Sequence, residues 1–293
     1  MTDYTASPFL VPFDGSFSVD SAPTAPAEPD GKKALKKELK EQNKAIQELQ
    51  RRLYADDRWS ILMLFQAMDA AGKDGTIRAV LSGVNPAGCQ VFSFKQPSSE
   101  ELDHDFLWRT ACRLPERGRI GVFNRSYYEE VLIARVHAGV LTHQRLPRQP
   151  PMAELMAERL QSIADHERHL ARNGTIILKF WLNVSAEEQR QRLLARIQDP
   201  AKNWKFSGGD VKERGHWSAY MDAYQEALRS TSCAHAPWYA IPADNKPYMR
   251  VAVADILRRT LERLNLRYPT LSAEKQAQLG EWESVLQQGD TLG

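Results

Sequence analysis

The chain has 293 residues, 42% of them hydrophobic and 9% aromatic, with 39 Lys and Arg against 37 Asp and Glu. This length and composition fit a folded chain with a sizeable core and exclude an intrinsically disordered one. The net charge of +2 says little about partners because the charge is uneven: residues 1–30 carry five acids and no Lys or Arg, whereas residues 32–52 carry eight bases and three acids.

Residues 1–31, rich in Ser, Pro, Ala and Thr, read as a flexible, extended arm. Residues 32–54 place Leu35, Leu39, Ile46, Leu49 and Leu53 at helical spacing among charges, which predicts an amphipathic helix. Its basic excess could face a polyanion or simply form a solvated face. Residues 59–65 (WSILMLF) form a short apolar run, a buried parallel strand. A helix over 73–82 follows, then a strand over 90–94. Residues 98–113 read as one helix with Ser98 or Ser99 as N-cap, and 119–123 (RIGVF) as a third strand. A long helix over 152–172 stops at Asn173-Gly174 and leads into the strand 175–182 (TIILKFWL). Helices are expected over 186–197, 210–230 and 248–264, a last strand over 238–241, and a peripheral helix in the tail, about 272–288.

Strands alternating with helices predict an α/β fold with a parallel sheet covered on both faces. The loop around 199–209, between two helices, is a candidate lid. Three separated cysteines, Cys89, Cys112 and Cys233, without CxxC spacing argue against a disulfide framework or zinc site and for a reducing cytoplasm. No basic segment followed by an apolar run marks a signal peptide, and no apolar run is long enough to span a membrane.

Residues 66–76 (QAMDAAGKDGT) lie between a predicted strand and a predicted helix, the setting of a phosphate-binding loop. Gly72 and Lys73 stand where that motif needs them, but Ala67 replaces its first Gly and Asp74 its hydroxyl residue. The turn directs backbone N–H groups, from Ala70, Ala71, Gly72 and on to Gly75 and Thr76, at the positive end of a helix dipole. Lys73 adds a point charge for the phosphates. Asp69 is unusual, since two like charges at 4 Å cost about 4 kcal/mol at an effective dielectric near 20. A Mg²⁺ ion reverses that sign, and with Asp74 in the hydroxyl slot Asp69 is the natural substitute ligand.

The strand 119–123 leads into Asn124-Arg125-Ser126-Tyr127-Tyr128-Glu129-Glu130 and then Arg135. Ligands of an open parallel sheet bind at the carboxyl ends of its strands, so this cluster should face the loop. Asn124 occupies the position of the usual Mg²⁺-anchoring Asp, and Glu130 is the candidate for the missing carboxylate. Arg125 and Arg135 are candidates for holding phosphate. Arg190 and Arg192, two residues apart, cannot share a helix face, so one should meet phosphate and the other solvent.

QAMDAAGKDGTI, SGVNPAG, FNRSYYEEVLIARVH, ILKFWLNVSAEEQRQRL, WKFSGGD and APWYAIPADNK resemble the polyphosphate kinase 2 family, in order and over about residues 32–265. Asn124 with an acid at Glu130 resembles its class III branch, known for phosphorylating nucleoside mono- and diphosphates. The resemblance implies a P-loop kinase-like three-layer α/β/α core over 32–265, with a helical lid about 199–216 and a tail over 266–293. It implies transfer between inorganic polyphosphate and AMP or ADP, giving ADP or ATP. It also implies dependence on Mg²⁺, with Mn²⁺ as a possible substitute, and assembly as a homo-oligomer, dimer or tetramer. Carried over by motif, Asp69, Lys73, Arg125 and Glu130 are the catalytic set, with Asp69 and Glu130 holding metal. The same carry-over puts Arg192 on phosphate and Lys202, Trp204, Lys205 and Asp210 over the nucleotide. Two other readings compete: a nucleoside monophosphate kinase that uses ATP, and a basic scaffold or nucleic-acid-binding protein, for which only the helix 32–52 speaks.

Overall fold

The computed structural model describes residues 4–28 and 30–288. Its centre is a five-stranded, wholly parallel sheet: β1 (Ser60–Gln66), β2 (Cys89–Ser93), β3 (Ile120–Asn124), β4 (Thr175–Asn183) and β5 (Trp238–Pro242). The spatial order is β2-β3-β1-β4-β5. Every residue of β1, β3 and β5 is buried, as expected of continuous apolar strands covered on both faces. The chain crosses from β1 to one edge of the sheet, returns, and then fills the other side. The carboxyl ends of β1 and β3 therefore flank a topological switch point, where such sheets bind ligands.

One face of the sheet is covered by α1 (Lys32–Asp56), α2 (Lys73–Val80) and α10 (Lys246–Arg263), packed on one another. On α1 the expected Leu35, Ile46 and Leu53 are buried, with Asn43 and Gln50 beside them, while the expected Leu39 and Leu49 are only half-buried at the edge of the stripe. The other layer is α5 (Glu129–Val136), α6 (Met152–Arg172) and α9 (Trp217–Thr231). The remaining helices are α3 (Ser99–Leu102), α4 (Trp108–Ala111), α7 (Ala186–Gln198), α8 (Gly208–Glu213) and the exposed α11 (Ala273–Gln288). No helix among the described residues is long and apolar enough to cross a membrane.

Three expectations change. The helix over 98–113 is two short ones. Ser98 does cap the first, in a reciprocal capping box with Glu101. The chain then breaks because the Asp105 carboxylate accepts the Leu107 N–H at 2.9 Å, a local turn that competes with helix. The helix over 210–230 is likewise split, by a 3₁₀ turn at Arg214–His216 that contains Gly215. The N-terminal arm is not free over 4–28: Val11 N–H bonds to Trp238 O at 2.9 Å and Ala240 N–H to Phe9 O at 2.8 Å, so the arm adds a short antiparallel contact to β5. Val11 and Thr5 are buried there, and Thr5 meets Thr260 of α10 at 2.6 Å.

Below α5 lies a buried polar network. Lys179, in mid-β4, donates to Glu167 Oε2 at 2.6 Å, Tyr128 Oη at 3.0 Å and Thr231 O at 2.8 Å. The Tyr127 and Tyr128 hydroxyls both donate to Glu167 Oε1 at 2.9 Å. Burial lowers the Lys179 pKa and raises that of Glu167. The bonds from Tyr127 and Tyr128 anchor the segment that directly follows Asn124 and Arg125.

Candidate active site

β1 ends at the buried Gln66, and the chain turns through residues 67–72 into α2. Ala70 (φ 60°) and Gly72 (φ 110°) both lie in the left-handed region. At Gly72 a Cβ would also stand 3.3 Å from the Met249 side chain, so conformation and space both require glycine. Arg192 of α7 holds this turn from outside. Its Nη1 donates to Ala71 O at 2.6 Å and Ala70 O at 3.3 Å. Its Nη2 donates to Ala243 O at 2.6 Å and Asp244 O at 3.1 Å, and its Nε to Glu188 at 2.7 Å. Gln189 adds a 2.9 Å bond to Asp69 O. The loop carbonyls are thus taken on the outer side, and the first amides of α2, which have no intrahelical partner, mark the anion-binding end.

Lys73 Nζ donates to Ala67 O at 2.8 Å and Met68 O at 3.4 Å, so its ammonium lies along the loop. Burial, together with the neighbouring Arg125 guanidinium, pushes its pKa down to about 8. Arg125 follows β3 in the left-handed conformation (φ 64°), with its N–H on Phe65 O at 3.0 Å. A left-handed arginine is a strained residue of the kind found at functional sites. Its guanidinium donates to Asp69 Oδ1 at 2.7 Å and Glu129 Oε2 at 3.3 Å, and these two carboxylates raise its pKa, Glu129 most. Asn124 donates to Asp74 Oδ1 at 2.5 Å and to Ser93 Oγ at 3.4 Å, tying the ends of β2 and β3 to α2. Tyr220 and Tyr224 of α9, with Leu132 and Ile133 of α5, wall the cleft over Asp69 and Arg125.

The structure thus brings together Asp69, Lys73, Asp74, Asn124 and Arg125 among the sequence-predicted residues. It does not bring Glu130 to them. Glu130 is buried between Arg109 (3.5 Å) and Arg159 (3.4 Å) and accepts from Gln144 at 2.6 Å. The carboxylate facing Arg125 is that of Glu129. Arg125 precedes α5 in the left-handed conformation, and Glu129 and Glu130, which open that helix, point about 100° apart around its axis, so only one of the two faces Arg125. Arg135 is paired with Glu226 of α9 and does not reach the cleft. Arg192 holds the loop through Nη1, with Nη2 and Nε committed to Ala243, Asp244 and Glu188, so its guanidinium is spent on protein acceptors and not on phosphate, while Arg190 pairs with Glu187 at the surface, so the two do part as their spacing requires.

In the lid, Asp210 bonds Arg196 at 2.8 Å. Burial and then the nearby Asp69 raise its pKa, which puts it in reach of the loop's field. Lys202 is paired with Asp199, and exposed Trp204 donates to Ala201 O at 3.1 Å. The Lys205 side chain lies outside the described residues. Among the described residues no three His, Cys, Asp or Glu side chains gather at one metal-sized point. The acids on either side of Arg125, Asp69 and Glu129, are hard oxygen donors that fit a Mg²⁺ drawing its other ligands from water and phosphate.

Residues 30–269 match the family described as Polyphosphate kinase 2. This chain belongs to the polyphosphate kinase 2 family. It is 53% identical over 242 residues to the ADP-polyphosphate phosphotransferase of Rhodopseudomonas palustris, covering 82% of this chain and 84% of that one. It is 45% identical over 239 residues to the AMP/ADP-polyphosphate phosphotransferase of Meiothermus ruber, covering 82% and 85%. Among solved structures, the polyphosphate kinase 2 of Arthrobacter aurescens superposes with a TM-score of 0.82 at 39% identity, covering 91% of this chain and 93% of that one. The polyphosphate kinase described here is therefore a transferase with the P-loop kinase-like, three-layer architecture.

Proposed function

We propose that this polyphosphate kinase transfers a phosphoryl group from inorganic polyphosphate to AMP and ADP, giving ADP and ATP, and does so reversibly at the loop 66–76. The observation that carries the reading is the meeting of two cations, Lys73 and Arg125, with Asp69 and Glu129 at the mouth of a phosphate-binding turn. The names of the Rhodopseudomonas and Meiothermus relatives support ADP and AMP as acceptors.

Phosphoryl transfer asks little covalent chemistry of a protein, so positioning and electrostatics carry it. Loop and first-turn amides between Ala70 and Thr76 cradle the phosphates, except those of Ala71 and Thr76, which donate to Met68 O at 3.3 Å and Gly72 O at 3.0 Å. Arg125 leaves Asp69 for the transferring group and, with Lys73, neutralises charge on its equatorial oxygens. Asp69 and Glu129, in place of the expected Glu130, are the carboxylates that would hold Mg²⁺ or Mn²⁺, and a bound ion would screen the negative charge of the phosphates. The acceptor phosphate is already ionised at neutral pH and needs no strong base. Asn124 keeps Asp74 turned toward the strand ends. Closure of the lid, with Lys202, Trp204, Lys205 and Asp210, excludes water as a competing acceptor. We place the enzyme in the cytoplasm, on its dispersed thiols, and as a homo-oligomer, on its family.

The test omits ATP. Protein, Mg²⁺, AMP and polyphosphate should yield ADP. If no ADP forms without ATP but AMP is phosphorylated when ATP is supplied, the enzyme is an ATP-dependent nucleoside monophosphate kinase and the proposal fails.

A further inference from the structure

The arm over 4–28 lies outside the segment 30–269 that matches the family, so no motif of the family assigns it a role. Beyond its contact with β5, the arm reaches the carboxyl ends of β4 and β5. Asn183, the last residue of β4 and only 5% exposed, donates from its side-chain amide to Ala22 O at 3.0 Å and Pro23 O at 3.2 Å. A buried amide needs an acceptor, and the arm supplies it. Asp244, two residues past β5, donates its N–H to Thr24 O at 2.9 Å.

These same two residues lead to the phosphate loop. Asn183 O accepts the Ala243 N–H at 3.0 Å. Arg192 takes the carbonyls of Ala243 and Asp244 with one end of its guanidinium and those of Ala71 and Ala70 with the other. The Asp244 carboxylate accepts the N–H of Ser185 at 2.8 Å. Ser185 is the N-cap of α7, the helix that carries both Arg192 and Gln189 to the loop. β4 also borders β1: Gln66, where the loop begins, is paired with Trp181, two residues before Asn183. Between the arm and the loop carbonyls stand Asp244 and one guanidinium. A phosphate cradle acts through fixed donors, and a misplacement of about 1 Å can cost on the order of 10²-fold in rate.

We infer that residues 22–24 and Asn183 are positioning groups for the phosphate loop. The arm fixes the strand ends on which Arg192 and α7 hold residues 69–71. The inference rests on the proposed use of the loop 66–76 for phosphoryl transfer and adds a segment outside the family's motifs that sets the loop's geometry.

Hydrogen exchange of residues 66–76 in the substrate-free, full-length enzyme is the readout, because the bonded Ala71 and Thr76 amides report the loop's order. Asn183→Ala removes both side-chain bonds to the arm. Pro23→Gly, at an exposed position, loosens the arm's backbone. Thr5→Val removes the 2.6 Å bond to Thr260 at the arm's far end and controls for lost stability alone. Loop exchange should quicken roughly tenfold in Asn183→Ala, the scale of one or two hydrogen bonds, and about threefold in Pro23→Gly. The double variant should match Asn183→Ala, since both changes act through one contact. Thr5→Val should lower the Tm and leave loop exchange unchanged. The kcat for ADP formation should fall in the same order as loop exchange rises. Unchanged loop exchange in Asn183→Ala, an additive double variant, equal quickening in Thr5→Val, or a faster-exchanging loop with wild-type kcat overturns the inference. If the unmodified enzyme forms ADP from AMP only when ATP is supplied, the proposed donor fails; kcat is then measured with ATP, and the exchange result still decides the role of the arm.

Discussion

Asp69 and Arg125 stand 56 residues apart in the chain and are joined by a 2.7 Å charge-assisted hydrogen bond at the mouth of the phosphate loop. The bond resolves the puzzle of an acid inside a phosphate cradle. Asp69 has a cationic partner before any ligand arrives, and Arg125 is held beside the place where phosphate will sit. Arg125→Lys keeps the charge but loses the fork that can exchange a carboxylate for a phosphate. We expect kcat for ADP formation to fall by roughly 10²-fold or more, the scale seen when one transition-state donor is removed, with the Tm nearly unchanged. Steady-state kinetics beside thermal melting checks this; a variant with wild-type kcat removes Arg125 from the chemistry.

Glu129 and Glu130 should separate cleanly by experiment. Glu129→Gln removes one of the two carboxylates that hold Arg125 and should lower kcat while leaving the fold intact. Glu130→Ala leaves Arg109 and Arg159 buried with a partner missing, a change that costs about 3–5 kcal/mol when a buried pair is broken. Urea unfolding should show that loss for Glu130→Ala and little change for Glu129→Gln. The reverse pattern would return Glu130 to the catalytic role that its place in the motif suggests.

This pair shows what the sequence can and cannot specify. The strands were legible because β1 and β4 are apolar runs with no polar alternation, and the loop was legible because Gly72-Lys73 lies between a strand and a helix. The motif placed an acid after Arg125 but could not say which of two adjacent glutamates faces it; helical geometry decides that. The same limit applies to Arg192. Its place on α7 suggested phosphate, but only the folded chain shows Ala70, Ala71, Ala243 and Asp244 presenting four carbonyl oxygens to its guanidinium. The breaks near Asp105 and Gly215 were missed because the apolar periodicity runs through them, while local turn chemistry stops the helix.

Lys73 should set an alkaline limit on activity. Its pKa in the folded protein is about 8, below the model-compound value of 10.5, because burial and Arg125 disfavour the ammonium. The charged form is the one that meets phosphate, so kcat/KM should fall as pH rises past about 8. Bound phosphate favours the ammonium, so the corresponding fall in kcat should lie at higher pH. Stability carries the opposite sign. Between pH 8 and 10.5 the unfolded chain keeps a proton on this residue that the folded chain has lost, so this group's contribution to stability rises with pH across that window. Lys73→Arg, which stays charged, should abolish the alkaline limb of kcat/KM; a limb that survives at the same pH belongs to another group.

Chelation should stop turnover without loosening the fold. Among the described residues no cluster of three metal-ligating side chains is present, so a divalent ion would enter with the substrate phosphates and not as part of the scaffold. Excess EDTA should therefore abolish ADP formation and leave the Tm of the substrate-free enzyme unchanged. A large fall in Tm would instead reveal a structural metal.

The Lys179–Glu167 pair allows the sharpest test of how the core supports the site. Both side chains are fully buried, at 2.6 Å, and their partners Tyr127 and Tyr128 begin two residues after Arg125. Removing one charge strands the other, so Lys179→Met should cost about 3–5 kcal/mol in urea unfolding. Adding Glu167→Gln removes the stranded charge while leaving an amide oxygen to accept from the tyrosine hydroxyls. The double variant should regain more than half of that loss, because the penalty comes from an unpaired charge and not from the loss of attraction. If the two substitutions instead destabilise additively, the pair is a net contributor to stability. If the double variant recovers stability but not kcat, the network's role is to position Arg125 through Tyr127 and Tyr128.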